Sequence, residues 1–296
     1  MKLLVWVEAL RLSHWIKSGF CLAAIFFHGS VFDFEAWVHV LPIVLCFSLV
    51  SSAGYLLNDI VNRAEDRQHP RKLHRPIASG RVPIWQAWTA IVILVAVSFF
   101  LLLNLYGWGP VMTVVGGYYL LSWAYSLFLR GLPLLDVLFL AMGFVARVAA
   151  GAFALNAYDE TAYPTGWLLS CTYFLALLLG FGKRKGEWLL LEKIHREMGV
   201  TRKALRGYTS DLLDVLTGAS ALLAGGTYLA YCLDRPDRIP FVFTGIPALA
   251  GLMSYLRLAW RSSVVETPER LFLHSSTLLA SVAVWLAMVA AFTGIG

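Results

Sequence analysis

Residues 37–66 read WVHVLPIVLCFSLVSSAGYLLNDIVNRAED, an apolar run that ends directly on amides and carboxylates. About 20 apolar residues suffice to cross roughly 30 Å of hydrocarbon as a helix. The run therefore reads as a transmembrane helix whose polar C-terminal end emerges at a membrane surface. Eight similar stretches accompany it, so nine spans are expected, at about 15–34, 37–57, 86–105, 108–128, 132–155, 165–182, 211–232, 239–260 and 271–293. Of the 296 residues, 59% are apolar and only 14% charged, with a mean hydropathy of +0.69. The fold class is all-α: one polytopic bundle over 1–296, with no soluble domain left over.

Lys and Arg in alternate loops set the orientation. The N-terminal segment holds Lys2, Arg11 and Lys17, and the 58–85 loop holds six basic residues. The 129–131 turn adds one, the 183–210 loop eight and the 257–270 segment three. The other side has only Arg235 and Arg238. A cytoplasmic N-terminus and an outward C-terminus follow. The first stretch lacks a small-residue cleavage pattern and runs into the second, so it reads as a retained helix. The surplus of +6 lies at helix ends, where it orients the chain and meets anionic lipid; no nucleic-acid partner is expected. Cys21, Cys46, Cys171 and Cys232 fall at wide spacing inside spans and read as small buried side chains.

Orientation alone does not call for the acids and amides in the two large basic loops. Asp59, Asn62 and Asp66 are spaced by three and four, so a helix continuing to Pro70 would align them on one face, with Asn58 beside them. An all-oxygen set without Cys suits Mg²⁺, which takes one or two carboxylates and fills its shell with water and phosphate oxygens. Lys72 and Arg75 follow between Pro70 and Pro76, within reach of a phosphate on that metal. His69 and His74, single histidines beside prolines, do not make a zinc site. In the second loop Lys183 and Glu187 are four apart, with Arg184 and Trp188 offset by one. Helix packing could bring both loops to one cavity. Arg147 stands inside the fifth stretch, where an unpaired charge is costly, and Asp136, about three turns earlier, is a candidate for the same polar cavity.

The pattern Asn58-Asp59 with Asp66, then His69-Pro70-x-Lys72-x-x-Arg75-Pro76-Ile77-Ala78-x-Gly80, resembles the UbiA superfamily of intramembrane prenyltransferases. Its branch of decaprenyl-phosphate phosphoribosyltransferases is similar in further segments: His14-Trp15-Ile16-Lys17, Ala124-Tyr125-Ser126, Arg147-Val148-Ala149-Ala150-Gly151, Gly182-Lys183-Arg184-x-x-Glu187 and Arg202-Lys203-x-Leu205-x-x-Tyr208-Thr209. The resemblance implies a bacterial inner-membrane enzyme with its active site at the cytoplasmic face. It would pass 5-phosphoribose from phosphoribosyl diphosphate to a polyprenyl phosphate for a cell-envelope glycan. It further implies Mg²⁺ on Asn58, Asp59, Asn62 and Asp66, a donor grip from Lys72, Arg75, Lys183, Arg184 and Glu187, and substrate contacts from Lys17, Tyr125, Arg147 and Tyr208. The family usually has Asp where this chain has Asn62, which removes one anionic ligand. A second loop that is rich in Lys and Arg, with a single Glu187 near its start, fits a donor that carries a separate phosphate.

Two other readings start from the same residues. One is a relative that moves a prenyl group from a prenyl diphosphate to an aromatic acceptor. The other is a transporter or lipid-binding protein, which would show paired broken repeats, and Pro42, Pro110 and Pro247 do not pair. Gly116-Gly117 and Gly225-Gly226 allow close helix contacts, within the chain or in a homo-oligomer.

Overall fold

The computed structural model describes residues 2–68, 72–129, 132–198, 207–235, 238–262, 265 and 275–293. His69, Pro70, Arg202, Lys203 and Leu205 of the expected motifs lie outside them. Every regular element among these residues is helical: α1 (Lys2–Leu10), a 3-10 segment (Leu12–Leu22), α2 (Ala23–His28), α3 (Phe34–Val61), α4 (Arg63–Gln68), α5 (Ile84–Tyr106), α6 (Pro110–Ala124) with a π turn (Tyr125–Leu129), α7 (Leu135–Asn156), α8 (Gly166–Met198), α9 (Ser210–Asp234), α10 (Arg238–Arg261) and α11 (Ser276–Thr293). Among the described residues eight helices are long and apolar enough to cross a membrane, and they coincide with the second to ninth expected stretches. The first stretch is not one continuous α-helix. It folds as the 3-10 segment followed by the six-residue α2, which ends on Gly29 in the left-handed region (φ 95°).

Neighbours in sequence pack as neighbours in space: α3 on α5, α6 on α7, then α7 through α11 in succession. The 3-10 segment is wedged between α3 and α7, and α11 returns to touch α2. Around α3, Ile43, Phe47 and Val50 pack with Leu102 of α5, Val115 of α6 and Ala150 of α7. Close crossings require small residues. A Cβ on Gly151 of α7 would sit 1.9 Å from the backbone oxygen of Cys21, so the wedge depends on that glycine. A Cβ on Gly225 would meet Leu249 at 2.9 Å, while Gly116 faces Phe99 at 3.8 Å, so these two glycines serve contacts within the chain. All four cysteines are free, and Cys21, Cys46 and Cys232 are buried.

Candidate active site

The end of α3 differs from an uninterrupted helix. α3 stops at Val61, and Asn62 caps it at φ −95°, ψ 11° before α4 begins at Arg63. Asn side chains compete with the helix for backbone carbonyls. Here Asn62 Nδ2 donates to the Asn58 carbonyl at 2.5 Å and to Asn58 Oδ1 at 3.1 Å. Backbone bonds continue on either side, from Asn62 N to Asn58 O and from Asp66 N to Asn62 O. Asp59 and Asp66 therefore still share one side, although the face is kinked.

The segment after α4 is folded back onto the helix ends. Arg63 Nε donates to the Ile77 carbonyl at 3.3 Å and Arg67 Nε to the Ala78 carbonyl at 2.9 Å. Ile77, Ala78 and Val82 are buried, and Arg81 pairs with Glu8 of α1 at 2.9 Å. This packing places Arg75 over both carboxylates: its Nη1 lies 3.0 Å from Asp59 Oδ1 and 2.7 Å from Asp66 Oδ2. Lys72 Nζ is 3.7 Å from Asp66 Oδ1. Arg11, from the turn between α1 and the 3-10 segment, reaches Asp59 Oδ1 at 2.5 Å and covers the Tyr55 ring at 4.9 Å. Three cations thus face two buried carboxylates.

A second cluster joins α7, α8 and the start of α9. Arg184 of α8 forms ion pairs with Asp136 Oδ2 at 2.6 Å and with Glu187 Oε2 at 2.7 Å. Tyr208 Oη donates to Asp136 Oδ1 at 2.9 Å and accepts from Leu134 N at 2.6 Å. Burial pushes the Tyr208 phenol above its ordinary value, so it remains a donor at neutral pH. Leu134 has φ 67°, a region costly for a branched side chain, and the Tyr208 hydroxyl holds it there. Beside it, Lys185 Nζ bonds Ser210 Oγ and Asp214 Oδ2, both at 2.7 Å, pinning α8 to α9. The π turn touches both α3 and α7, and Tyr125 within it lies in electrostatic range of Arg184.

Of the residues singled out in the sequence, the structure brings Asp59, Asp66, Lys72 and Arg75 together in one cluster and Arg184 and Glu187 in another. Lys17 is half-buried in the 3-10 segment and Lys183 half-buried beside Arg184. Three of these residues have partners that spacing did not give. Asp136 pairs with Arg184 and Tyr208 rather than joining Arg147. The Tyr208 hydroxyl is held between Asp136 Oδ1 and the Leu134 backbone N–H. Arg184 is committed to two carboxylates, because Asp136 supplies an acid that its distant sequence position concealed. Arg11, which reaches Asp59, was not among the candidates; its place just before Trp15 resembled an orientation charge. Lys185 and Asp214 carried no separate signal.

Two carboxylate oxygens converging within 3.0 Å of one guanidinium nitrogen mark a point built for positive charge. The donors there are all oxygens, which suits a hard divalent cation.

Residues 18–277 match the UbiA prenyltransferase family. This chain belongs to that family. It is 30% identical over 298 residues to decaprenyl-phosphate phosphoribosyltransferase of Mycobacterium tuberculosis H37Rv, covering 98% of this chain and 94% of that protein. The protein of the same name from Corynebacterium glutamicum is 30% identical over 230 residues, 77% of this chain and 67% of the relative. A UbiA homolog from Archaeoglobus fulgidus bound to DMAPP and Mg²⁺ shares the fold, with TM-score 0.71, 15% identity and coverage of 98% and 99% of the two chains. Membership accords with the fold: the chain is a multi-pass membrane protein.

Proposed function

We propose that the chain transfers 5-phosphoribose from phosphoribosyl diphosphate to a polyprenyl phosphate, releasing diphosphate. The observation that carries this reading is the match, over nearly the whole chain, to relatives named decaprenyl-phosphate phosphoribosyltransferase. The excess of cations over carboxylates at the Asp59–Asp66 cluster supports it, because the donor is multiply anionic. The clusters would face the cytoplasm of a bacterial inner membrane, the side to which the basic loops assign them.

Asp59 and Asp66 would hold Mg²⁺, with Asn58 and Asn62 completing the set. When bound, that ion supplies charge neutralisation for the departing diphosphate. Lys72, Arg75 and Lys183 add positive charge around the phosphates, and Arg184 keeps Glu187 and Asp136 fixed at the opposite rim. The bond from ribose carbon-1 to diphosphate oxygen breaks as carbon-1 gains cationic character, and the bonding pair leaves with the diphosphate. An oxygen of the lipid phosphate, already anionic, forms the new bond to carbon-1. No proton need be removed, so no general base is required. Electrostatics and positioning supply the rate.

The donor decides between this and prenyl transfer. Purified protein given phosphoribosyl diphosphate and a prenyl diphosphate together, with polyprenyl phosphate and an aromatic acceptor both present, is expected to release diphosphate only from the ribosyl donor. Consumption of the prenyl donor with the ribosyl donor untouched would overturn the proposal.

A further inference from the structure

Arg147 lies mid-way along α7 and is only 5% exposed. Its hydrogen-bond partners among the described residues are neutral: Nη1 donates to the Gly143 carbonyl at 2.7 Å, and Nη2 donates to Ser51 Oγ at 3.0 Å and Tyr118 Oη at 2.9 Å. Among the described residues no carboxylate is within ion-pair distance of it. A guanidinium has five N–H donors; three are used, and Nε has no acceptor at all. The rings of Tyr118, Phe47 and Phe144 surround it at 4.7, 5.5 and 5.5 Å. Cation–π contact and hydroxyls offset part of the desolvation cost, but the charge is left uncompensated. A buried cation with spare donors and no counter-ion is built to receive an anion.

Its position says which anion. Ser51, Tyr55 and Asp59 recur every fourth residue, so they line one face of α3. That face runs from the carboxylate cluster at Asp59, past Tyr55 under Arg11, to Ser51 on Arg147. Ser51 is therefore about 12 Å deeper along the helix than Asp59. Side chains on a helix lean towards its N-terminus, and the bond to Gly143 shows Arg147 leaning that way, towards the Asp136 end of α7. The guanidinium thus looks from apolar depth up to the site.

We infer that Arg147, with Ser51 and Tyr118, is the socket for the phosphomonoester head of the lipid acceptor. This rests on the reading of function above and adds to it the group that selects a lipid phosphate over a neutral lipid. The donor also carries a phosphomonoester, on ribose carbon-5. Depth and aromatic surroundings favour the lipid, whose chain must lie among apolar side chains while the donor approaches from water.

The test compares wild type, Arg147→Met and Arg147→Lys in detergent, using radiolabelled decaprenyl phosphate, neutral decaprenol, and phosphoribosyl diphosphate with Mg²⁺. Wild type is expected to retain decaprenyl phosphate over decaprenol by roughly 10- to 100-fold, the range of a charge-assisted contact. Arg147→Met should lose most of that preference and keep donor binding within about threefold. Undiminished preference in Arg147→Met overturns the inference, as does loss of donor binding with lipid binding intact. If Arg147→Met does not fold, Arg147→Lys decides. A raised KM for the lipid phosphate with an unchanged KM for the donor supports the socket, and the reverse or no change overturns it. Wild type that transfers phosphoribose while the variants behave like it sinks this inference alone. Wild type that neither transfers phosphoribose nor prefers the phosphorylated lipid sinks the functional reading with it.

Discussion

At the scale of single residues, Asn62 shows what a change of one atom does. Its amide nitrogen donates twice to Asn58, which a carboxylate could not do. Asn62→Asp should free Asn58 Oδ1 and add a third acid beside Asp59 and Asp66, so divalent-metal affinity measured by titration is expected to rise several-fold. A fall in affinity would mean that the Asn58–Asn62 bond is what shapes the metal site. Tyr208 offers a stability test. Tyr208→Phe strands Leu134 N and an Asp136 oxygen in a buried place, a loss of about 2 kcal/mol. Because burial raises the phenol's value in the folded state, its contribution is complete below the ordinary tyrosine range and declines only as pH rises through the higher folded value. The gap in thermal midpoint between wild type and Tyr208→Phe should therefore stay constant from about pH 6 to 9. A gap that closes within that window contradicts the assigned bonds.

At the scale of elements, the wedge of the 3-10 segment against α7 is the most demanding contact. Gly151→Ala forces a Cβ into the Cys21 backbone, and backbone there cannot yield cheaply. Loss of several degrees of thermal midpoint is expected, together with weaker activity, because Arg11, at the N-terminal end of the same wedge, reaches Asp59. An unchanged midpoint would show that the crossing is looser than described. Elements were unevenly legible in the sequence. Long apolar runs such as Phe34–Val61 and Ile84–Tyr106 identify themselves, since twenty apolar residues have few alternatives. The 3-10 wedge was illegible because hydropathy reports burial in lipid or protein alike and carries no sign of hydrogen-bond register. The kink at Asn62 was missed for a related reason: spacing by three and four assumes an intact ladder, and a side-chain amide broke it.

At the scale of the molecule, the candidate site assembles residues from five separated parts of the chain, from Arg11 to Tyr208. Motif spacing exposed the local members, Asp59 to Arg75 and Lys183 to Glu187. The partners that complete them, Arg11 on Asp59 and Asp136 on Arg184, are set by packing and could not be paired from spacing alone. Orientation belongs to this scale too. With single cysteines introduced at exposed His74 and Glu160 in a cysteine-free background, membrane-impermeant reagent added to intact cells should label Glu160→Cys and spare His74→Cys; the opposite pattern would invert the topology.

The central claim is that Asp59 and Asp66 support transfer of phosphoribose to a lipid phosphate. The direct measurement is the appearance of label in lipid when purified protein, Mg²⁺ and polyprenyl phosphate are incubated with phosphoribosyl diphosphate labelled in the ribose. Wild type should form labelled phosphoribosyl lipid, and Asp59→Asn and Asp66→Asn, folded by thermal melt, should be slower by at least about 100-fold. Labelled lipid formed at near-normal rates by both variants, or none formed by wild type, would contradict the account.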